Sequence, residues 1–196
     1  LRTDIPELAS GDTVRVAGPR GKPVGFALYS DRSEIALRVF SRSAEPPPAA
    51  IWRERLTSAI DYRSVLGIDA TAYRLVHGEA DRLPGLVVDK YDDYLVVQAL
   101  TQGMDRLLPE ITAILVDVVK PAGILARNDP RVRLLEGLEQ RVDVLHGDVP
   151  PTIEIRYGRA ELAVRVPPGA QATVIKKPPM HKLADPHSAV RGALAQ

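Results

Sequence analysis

Apolar positions in the first forty residues come in short runs of strand-favouring side chains. Residues 12–16, 24–29 and 35–40 predict three strands. Gly18-Pro19-Arg20-Gly21-Lys22-Pro23 is a strong turn signal between the first two, and Ser30-Asp31-Arg32-Ser33 a weaker one before the third. Strands this closely spaced suggest a small barrel or half-barrel. Ala44-Glu45-Pro46-Pro47-Pro48 ends the run, because consecutive prolines lack the backbone donors that a ladder or a helix needs. Beyond it Trp52, Leu56, Ala59, Ile60 and Arg63 recur at helical spacing, which predicts a helix over 49–66 with Gly67 at its C-terminal cap.

Strands are then expected at 73–78, 85–90 and 94–100. Met104, Leu107, Leu108, Ile111, Leu115 and Val118 mark an amphipathic helix stopped by Pro121. A strand at 123–127, a short helix at 131–138, a strand at 142–145 and a hairpin of 152–157 with 160–166 about Gly158-Arg159 complete the pattern. Strands with interspersed helices make the fold class α+β. Pro167-Pro168-Gly169, Lys177-Pro178-Pro179 and Asp185-Pro186 interrupt any period in the last thirty residues. The expected organisation is a strand-rich unit over 1–43, a proline-rich linker over 44–50, a mixed α+β domain over 51–166 and a disordered tail over 167–196.

Composition changes this picture little. Of 196 residues, 45% are hydrophobic and 26% charged, as in a globular chain. The net charge of +1 selects no partner, so nucleic-acid binding would require cations gathered on one face. There is no cysteine, which removes disulfides, thiolate zinc sites and thiol nucleophiles, and is compatible with a cytoplasmic protein. No run approaches the roughly 18 apolar residues of a membrane span. The start lacks an initiator Met and an apolar leader core, which suggests a beginning partway into a longer product.

Candidate chemistry is chiefly basic. Arg15, Arg20 and Lys22 lie in and beside the first turn, where RNA contact and solvated turn charge are equally open readings. Arg127, Arg131 and Arg133 bracket a strand-to-helix turn whose amides and guanidinium groups could hold phosphate, with pairing to Asp129 and Glu136 as the alternative. Tyr73 to Tyr91 is a strand, a tight acidic turn and a strand. Gly78 and Gly85 allow unusual backbone angles, Pro84 stiffens the connection, and Glu79, Asp81 and Asp89 are placed to meet Arg74 or to accept amides. Arg74 and Lys90 on these strands join the RNA-contact candidates. His77, His146, His181 and His187 show no metal-ligand spacing, although His181, Asp185 and His187 form one local cluster. Lys176, Lys177, Lys182 and Arg191 make the tail basic. No nucleophile–His–acid pattern is present, so no catalytic residue is assigned.

The Tyr73-Arg74-Leu75-Val76-His77-Gly78-Glu79-Ala80-Asp81-Arg82-Leu83-Pro84-Gly85-Leu86-Val87-Val88-Asp89-Lys90-Tyr91 stretch closely resembles a hallmark of the PUA-domain-containing, SAM-dependent methyltransferases that make 5-methylcytosine in large-subunit ribosomal RNA. Ala126-Arg127-Asn128-Asp129-Pro130-Arg131-Val132-Arg133-Leu134-Leu135-Glu136-Gly137-Leu138 is similar to a second family stretch, and Val144-Leu145-His146-Gly147-Asp148 to a third. Gly11 to Val16 and Gly25 to Tyr29 look like later strands of that family's PUA barrel. The likeness runs over about residues 5–165.

It implies a PUA-like RNA-binding barrel, incomplete here because the family's His-Pro-Trp-like first strand has no counterpart, followed by a substrate-binding domain. After the hairpin, Gly169-Ala170-Gln171-Ala172-Thr173 only faintly echoes the family pattern. A Rossmann-like catalytic domain is therefore expected to be absent, and S-adenosylmethionine to be a cofactor of the full-length family and not of this chain. The implied role is docking of 23S rRNA, with dimerisation through the open barrel edge; the alternative is a non-catalytic RNA- or partner-binding module in ribosome assembly. Truncation, frame disruption and a stand-alone segment all remain open.

Overall fold

The computed structural model describes residues 8–165 and 173–176. At the N-terminus β1 (Thr13–Ala17), β2 (Pro23–Tyr29) and β3 (Leu37–Ser41) form an antiparallel sheet in the order β1-β2-β3. The expected barrel is corrected by this arrangement: the described strands make an open sheet and do not close. Its apolar face is covered by helices instead. Phe26, Leu28 and Phe40 share one hydrophobic core with α1 (Ile51–Val65) and α2 (Gln102–Val119). The fit is close at Gly103, where a Cβ would lie 2.6 Å from the Cβ of Leu28. Once β2 is packed against a helix, further strands are not needed to remove its apolar side chains from water.

The central sheet has five strands: β4 (Ala72–His77), β5 (Leu86–Tyr91), β6 (Tyr94–Ala99), β7 (Gly123–Asn128) and β8 (Arg141–Gly147), in that order. Neighbours are antiparallel except β6 and β7, which are parallel and joined by α2. This β6–α2–β7 crossover is the βαβ unit from which Rossmann-like sheets are built. All six residues of β7 are buried, as expected of a strand covered on both faces. One face carries Val76, Leu86, Val88, Leu95, Val97 and Ile124 against Leu56 of α1 and Met104, Ile111 and Leu115 of α2. The other carries Val96 and Leu125 against Ile153 and Val164.

Those last two residues belong to β9 (Thr152–Tyr157) and β10 (Ala160–Arg165), the hairpin expected about Gly158-Arg159. β11 (Thr173–Lys176) extends this sheet by pairing with β10. It corrects the expectation that the whole of 167–196 lacks regular structure; the rest of that stretch, with His181, Lys182, Asp185, His187 and Arg191, lies outside the described residues. α3 (Val132–Leu135) is a single turn and not the helix expected over 131–138. It stops where Gly137 turns left-handed at φ 67° and the Leu138 amide donates back to the Arg133 carbonyl.

Candidate nucleic-acid interface

The acidic turn between β4 and β5 is a clamp made by residues that only the fold brings together. Gly78 (φ 52°) and Gly85 (φ 76°) occupy left-handed backbone, and a Cβ on Gly85 would sit 2.6 Å from the Thr101 hydroxyl. Pro84 is buried beside it, and Glu79 is exposed. Asp81 accepts both arms of Arg63 from α1, at 2.6 and 2.8 Å, and the His77 amide at 2.6 Å. Burial alone would push the Asp81 carboxyl up, but the Arg63 guanidinium and the His77 amide outweigh it and hold it below its ordinary value. Arg63 was the missed partner. Its helical spacing was visible, but nothing local pointed to a carboxylate eighteen positions on.

Across the strands Arg74 donates to Asp89 through Nε at 2.8 Å and Nη2 at 3.2 Å, and this hydrogen bonding raises its affinity for the proton. Lys90 bends to the Asp92 carbonyl. Both line an open groove of about 410 Å3 along the β4 edge, with Tyr73, His77, Asp89 and Tyr91. Burial, and then the Asp89 charge, push the Tyr91 phenol up. Arg74 and Lys90 share this lining with one carboxylate, Asp89, so the groove has no single sign of charge.

The Arg127–Arg133 cluster does not form the phosphate cradle its spacing suggested. Arg133 is 1% exposed, with Nη1 donating to Asp105 at 2.9 Å and to the Ala99 carbonyl, and Nε to the Glu139 carbonyl at 3.0 Å. It is a core cross-link, and as an RNA contact it is corrected. A one-turn helix also lacks the aligned peptide dipoles that make a helix N-terminus attractive to anions. Arg127 is buried and pairs with Asp129 at 2.5 Å, while Arg131 stands exposed. Glu136 turns to β3 and not to its neighbours, meeting Arg38 at 2.9 Å.

Arg15, Arg20 and Lys22 are different. All three are exposed, and among the described residues none has a carboxylate within ion-pair distance. Ala17 faces Pro23 across the β1–β2 ladder, so the Pro19–Gly21 turn between them projects past the end of the sheet. Arg20 holds a left-handed backbone at φ 63°. Among the described residues there is no cluster of His, Asp or Glu fit to hold a metal ion, and no helix long and apolar enough to cross a membrane.

A PUA-like domain family matches residues 2–42. The chain is 39% identical over 143 residues to a ribosomal RNA large subunit methyltransferase I of Vibrio cholerae, covering 72% of this chain and 36% of the relative. It is 36% identical to the protein of that name from Vibrio vulnificus over 143 residues, and 34% identical to that of Tolumonas auensis over 145, with the same coverage of both chains. The chain thus spans about a third of the length of the curated relatives it matches.

Two solved structures share the fold. One is described as a SAM-dependent methyltransferase from Streptococcus mutans (TM-score 0.69, 18% identity, 85% of this chain and 43% of that one). The other is a methyltransferase complexed with SAH (TM-score 0.70, 17% identity, 84% and 42%). These overlays overturn the expectation that a Rossmann-like component is absent, and the β6–α2–β7 crossover is its visible element.

At the carboxyl end of that crossover the chain's own side chains take part of the space. Arg133 occupies the Ala99 carbonyl, the Asn128 side chain takes the Ala99 amide at 2.8 Å, and Leu28 fills the space over Gly103. The Ala99 backbone is thus engaged by side chains, whereas Arg127 Nε and Asn128 Nδ2, both buried, have no hydrogen-bond partner among the described residues.

Proposed function

We propose that this chain docks ribosomal RNA through the β1–β2 edge, with Arg15, Arg20 and Lys22 as phosphate contacts, in the service of SAM-dependent 23S rRNA methylation with 5-methylcytosine as the product. The observation that carries the reading is that these three cations are exposed on one projecting edge without carboxylate partners, whereas Arg74, Lys90, Arg127 and Arg133 are engaged within the protein. Exposed, unpaired cations bind phosphodiesters by releasing condensed counterions, which costs no internal ion pair. Arg131, also exposed, is a secondary contact. Arg74 and Lys90 contribute only if RNA displaces Asp89 and the Asp92 carbonyl. The relatives' names and the PUA-like match support ribosomal RNA as the substrate class.

In this reading the described residues orient RNA and the covalent step lies elsewhere, since these 196 residues hold no cysteine to add to a cytosine ring. S-adenosylmethionine is accordingly assigned to other parts of a full-length relative. Residues 1–43 act as the RNA-binding unit and 51–166 as the substrate-binding domain, joined by the linker at 44–50. Among the described residues β1 pairs with β2 alone, so its other edge offers a route to dimerisation.

The test is filter binding to a large-subunit rRNA fragment across a salt series, with labelled SAM in parallel. Wild-type affinity should fall steeply with salt, and a Lys22→Gln/Arg20→Gly variant should flatten the dependence by about 0.9 in log–log slope for each phosphate it no longer neutralises. No RNA binding at any salt would overturn the docking role. Retention of SAM would overturn the cofactor assignment, and a monomer in light scattering at high concentration would overturn dimerisation.

A further inference from the structure

Where β3, α1 and the Gly78–Asp81 turn meet, the exposed Glu79 shares the turn with arginines that have no ion-pair partner among the described residues. Arg55, on α1, is 8% exposed. Its Nη1 donates to the Arg82 carbonyl at 2.6 Å and its Nη2 to the Phe40 carbonyl at 2.5 Å, while the guanidinium carbon lies 5.6 Å from the ring centres of both Phe40 and Trp52. All these partners are neutral. Burial, and then the nearby Arg82 charge, push the Arg55 guanidinium below its ordinary value, with Glu54 a smaller opposing influence. Arg82 is exposed in left-handed backbone at φ 60°, and Arg42, two residues beyond Phe40, is exposed as well. Among the described residues, no carboxylate lies within ion-pair distance of Arg42, Arg55 or Arg82.

Strand register places this corner relative to the docking edge. Phe26 pairs with Ser41, so the end of β3 lies beside the start of β2, and Ala17 lies across from Pro23 on the other side. The Pro19–Gly21 turn, Arg42 and the Arg55–Arg82 corner therefore lie toward the same end of the N-terminal sheet. Two arginines there, Arg20 and Arg82, hold left-handed backbone although glycine would adopt it without cost.

We propose that the Arg42–Arg55–Arg82 corner is a second phosphodiester-binding site, with Arg82 and Arg42 as its exposed contacts and Arg55 as the buried charge beneath them. An RNA strand held at the β1–β2 turn continues over the end of β3 onto the turn that precedes Pro84. A buried guanidinium satisfied only by neutral acceptors leaves a positive potential, and a phosphate oxygen near Arg82 lowers the energy of both charges. The inference rests on the docking reading for the identity of its ligand.

Arg82→Gly tests it cleanly, since glycine suits the turn and only the charge is removed; Arg42→Gln is the second variant. Each should weaken binding of the large-subunit rRNA fragment, with the gap from wild type narrowing about threefold between about 50 and about 200 mM salt, as the removal of one phosphate-neutralising charge requires. Wild-type affinity and salt slope in both single variants and their double, beside a weakened Lys22→Gln/Arg20→Gly, would overturn the corner and leave the docking edge standing. If wild type binds no RNA, the docking reading falls, and pyrophosphate decides the corner alone. A saturable shift of the Arg55 Nε–H resonance, abolished in Arg82→Gly, supports it, and an unmoved resonance overturns it.

Discussion

Ser30 and Glu136, 106 positions apart in the chain, meet in the interior, where the serine hydroxyl donates to the carboxylate at 2.8 Å. Arg38 reaches the same carboxylate at 2.9 Å, and the Gln102 amide lies 3.3 Å from it. Gln102 returns a hydrogen bond to the Glu136 carbonyl at 2.7 Å and another to Asp31 at 2.7 Å. One buried glutamate thus joins the N-terminal sheet, α2 and the segment after α3. These elements also share a hydrophobic core, so the N-terminal sheet packs against the same helices as the central sheet.

Removing that carboxylate should be costly. Glu136→Ala strands the Arg38 charge and the Ser30 hydroxyl, and is expected to lower stability by about 3–5 kcal/mol. Ser30→Ala should cost only about 1 kcal/mol. Urea unfolding of both variants, with the double variant less destabilised than the sum, checks the coupling.

Gly85→Ala should destabilise by more than about 1 kcal/mol, because the residue needs left-handed backbone and the new methyl meets Thr101. Thr101 also accepts the Met104 amide at 3.3 Å as the cap of α2, so Thr101→Ala alone should cost about 1 kcal/mol. In the Thr101→Ala background the penalty of Gly85→Ala should shrink, since the hydroxyl and methyl it strikes are gone. Thermal denaturation of the four proteins measures this; equal penalties in both backgrounds would show that backbone strain alone matters.

The Arg63–Asp81 clamp predicts an acid limb in stability. The Asp81 carboxyl is held below its ordinary value in the folded protein, so the unfolded chain takes up its proton first as pH falls. The clamp's contribution is fully present above the unfolded value of about 3.9 and is lost as pH drops through the lower folded value. Asp81→Asn should flatten the dependence of the urea midpoint below about pH 4 while lowering the midpoint at neutral pH. An unchanged acid limb would assign it to other carboxylates.

Arg133→Met separates architecture from binding. It removes the charge opposite Asp105 and the donor to the Ala99 carbonyl, so stability should fall by about 3 kcal/mol or more. The fraction that remains folded should bind the rRNA fragment with wild-type affinity and salt slope. A lower slope would return Arg133 to the RNA surface.

Periodicity carried the elements well because each was decided locally. Leu56 and Ala59 on α1 and Met104, Ile111 and Leu115 on α2 are buried at the spacing that marked them, and Gly67 is left-handed at the end of α1. The residue stretches that carried the resemblance also lie where close packing demands them, as at Gly85 against Thr101 and Gly137 against Arg32. Charge roles were less legible. Arg131 and Arg133 are two positions apart in one turn, yet one is exposed and the other is 1% exposed. Nothing in their local spacing reports which faces Asp105.

The sequence by itself determined β1 to β10, α1, α2 and their order, since hydrophobic period, glycine angles and proline breaks act within a few residues. It also determined that these 196 residues supply no thiol. The tertiary structure decided that, among the described residues, the first sheet packs against α2 and does not close into a barrel, because the cover for Phe26 and Leu28 comes from residues some seventy positions on. It decided as well which cations are free. An arginine becomes a cross-link or a contact according to the carboxylates and carbonyls that distant segments bring to it, and ion pairing depends on separation in space, not along the chain.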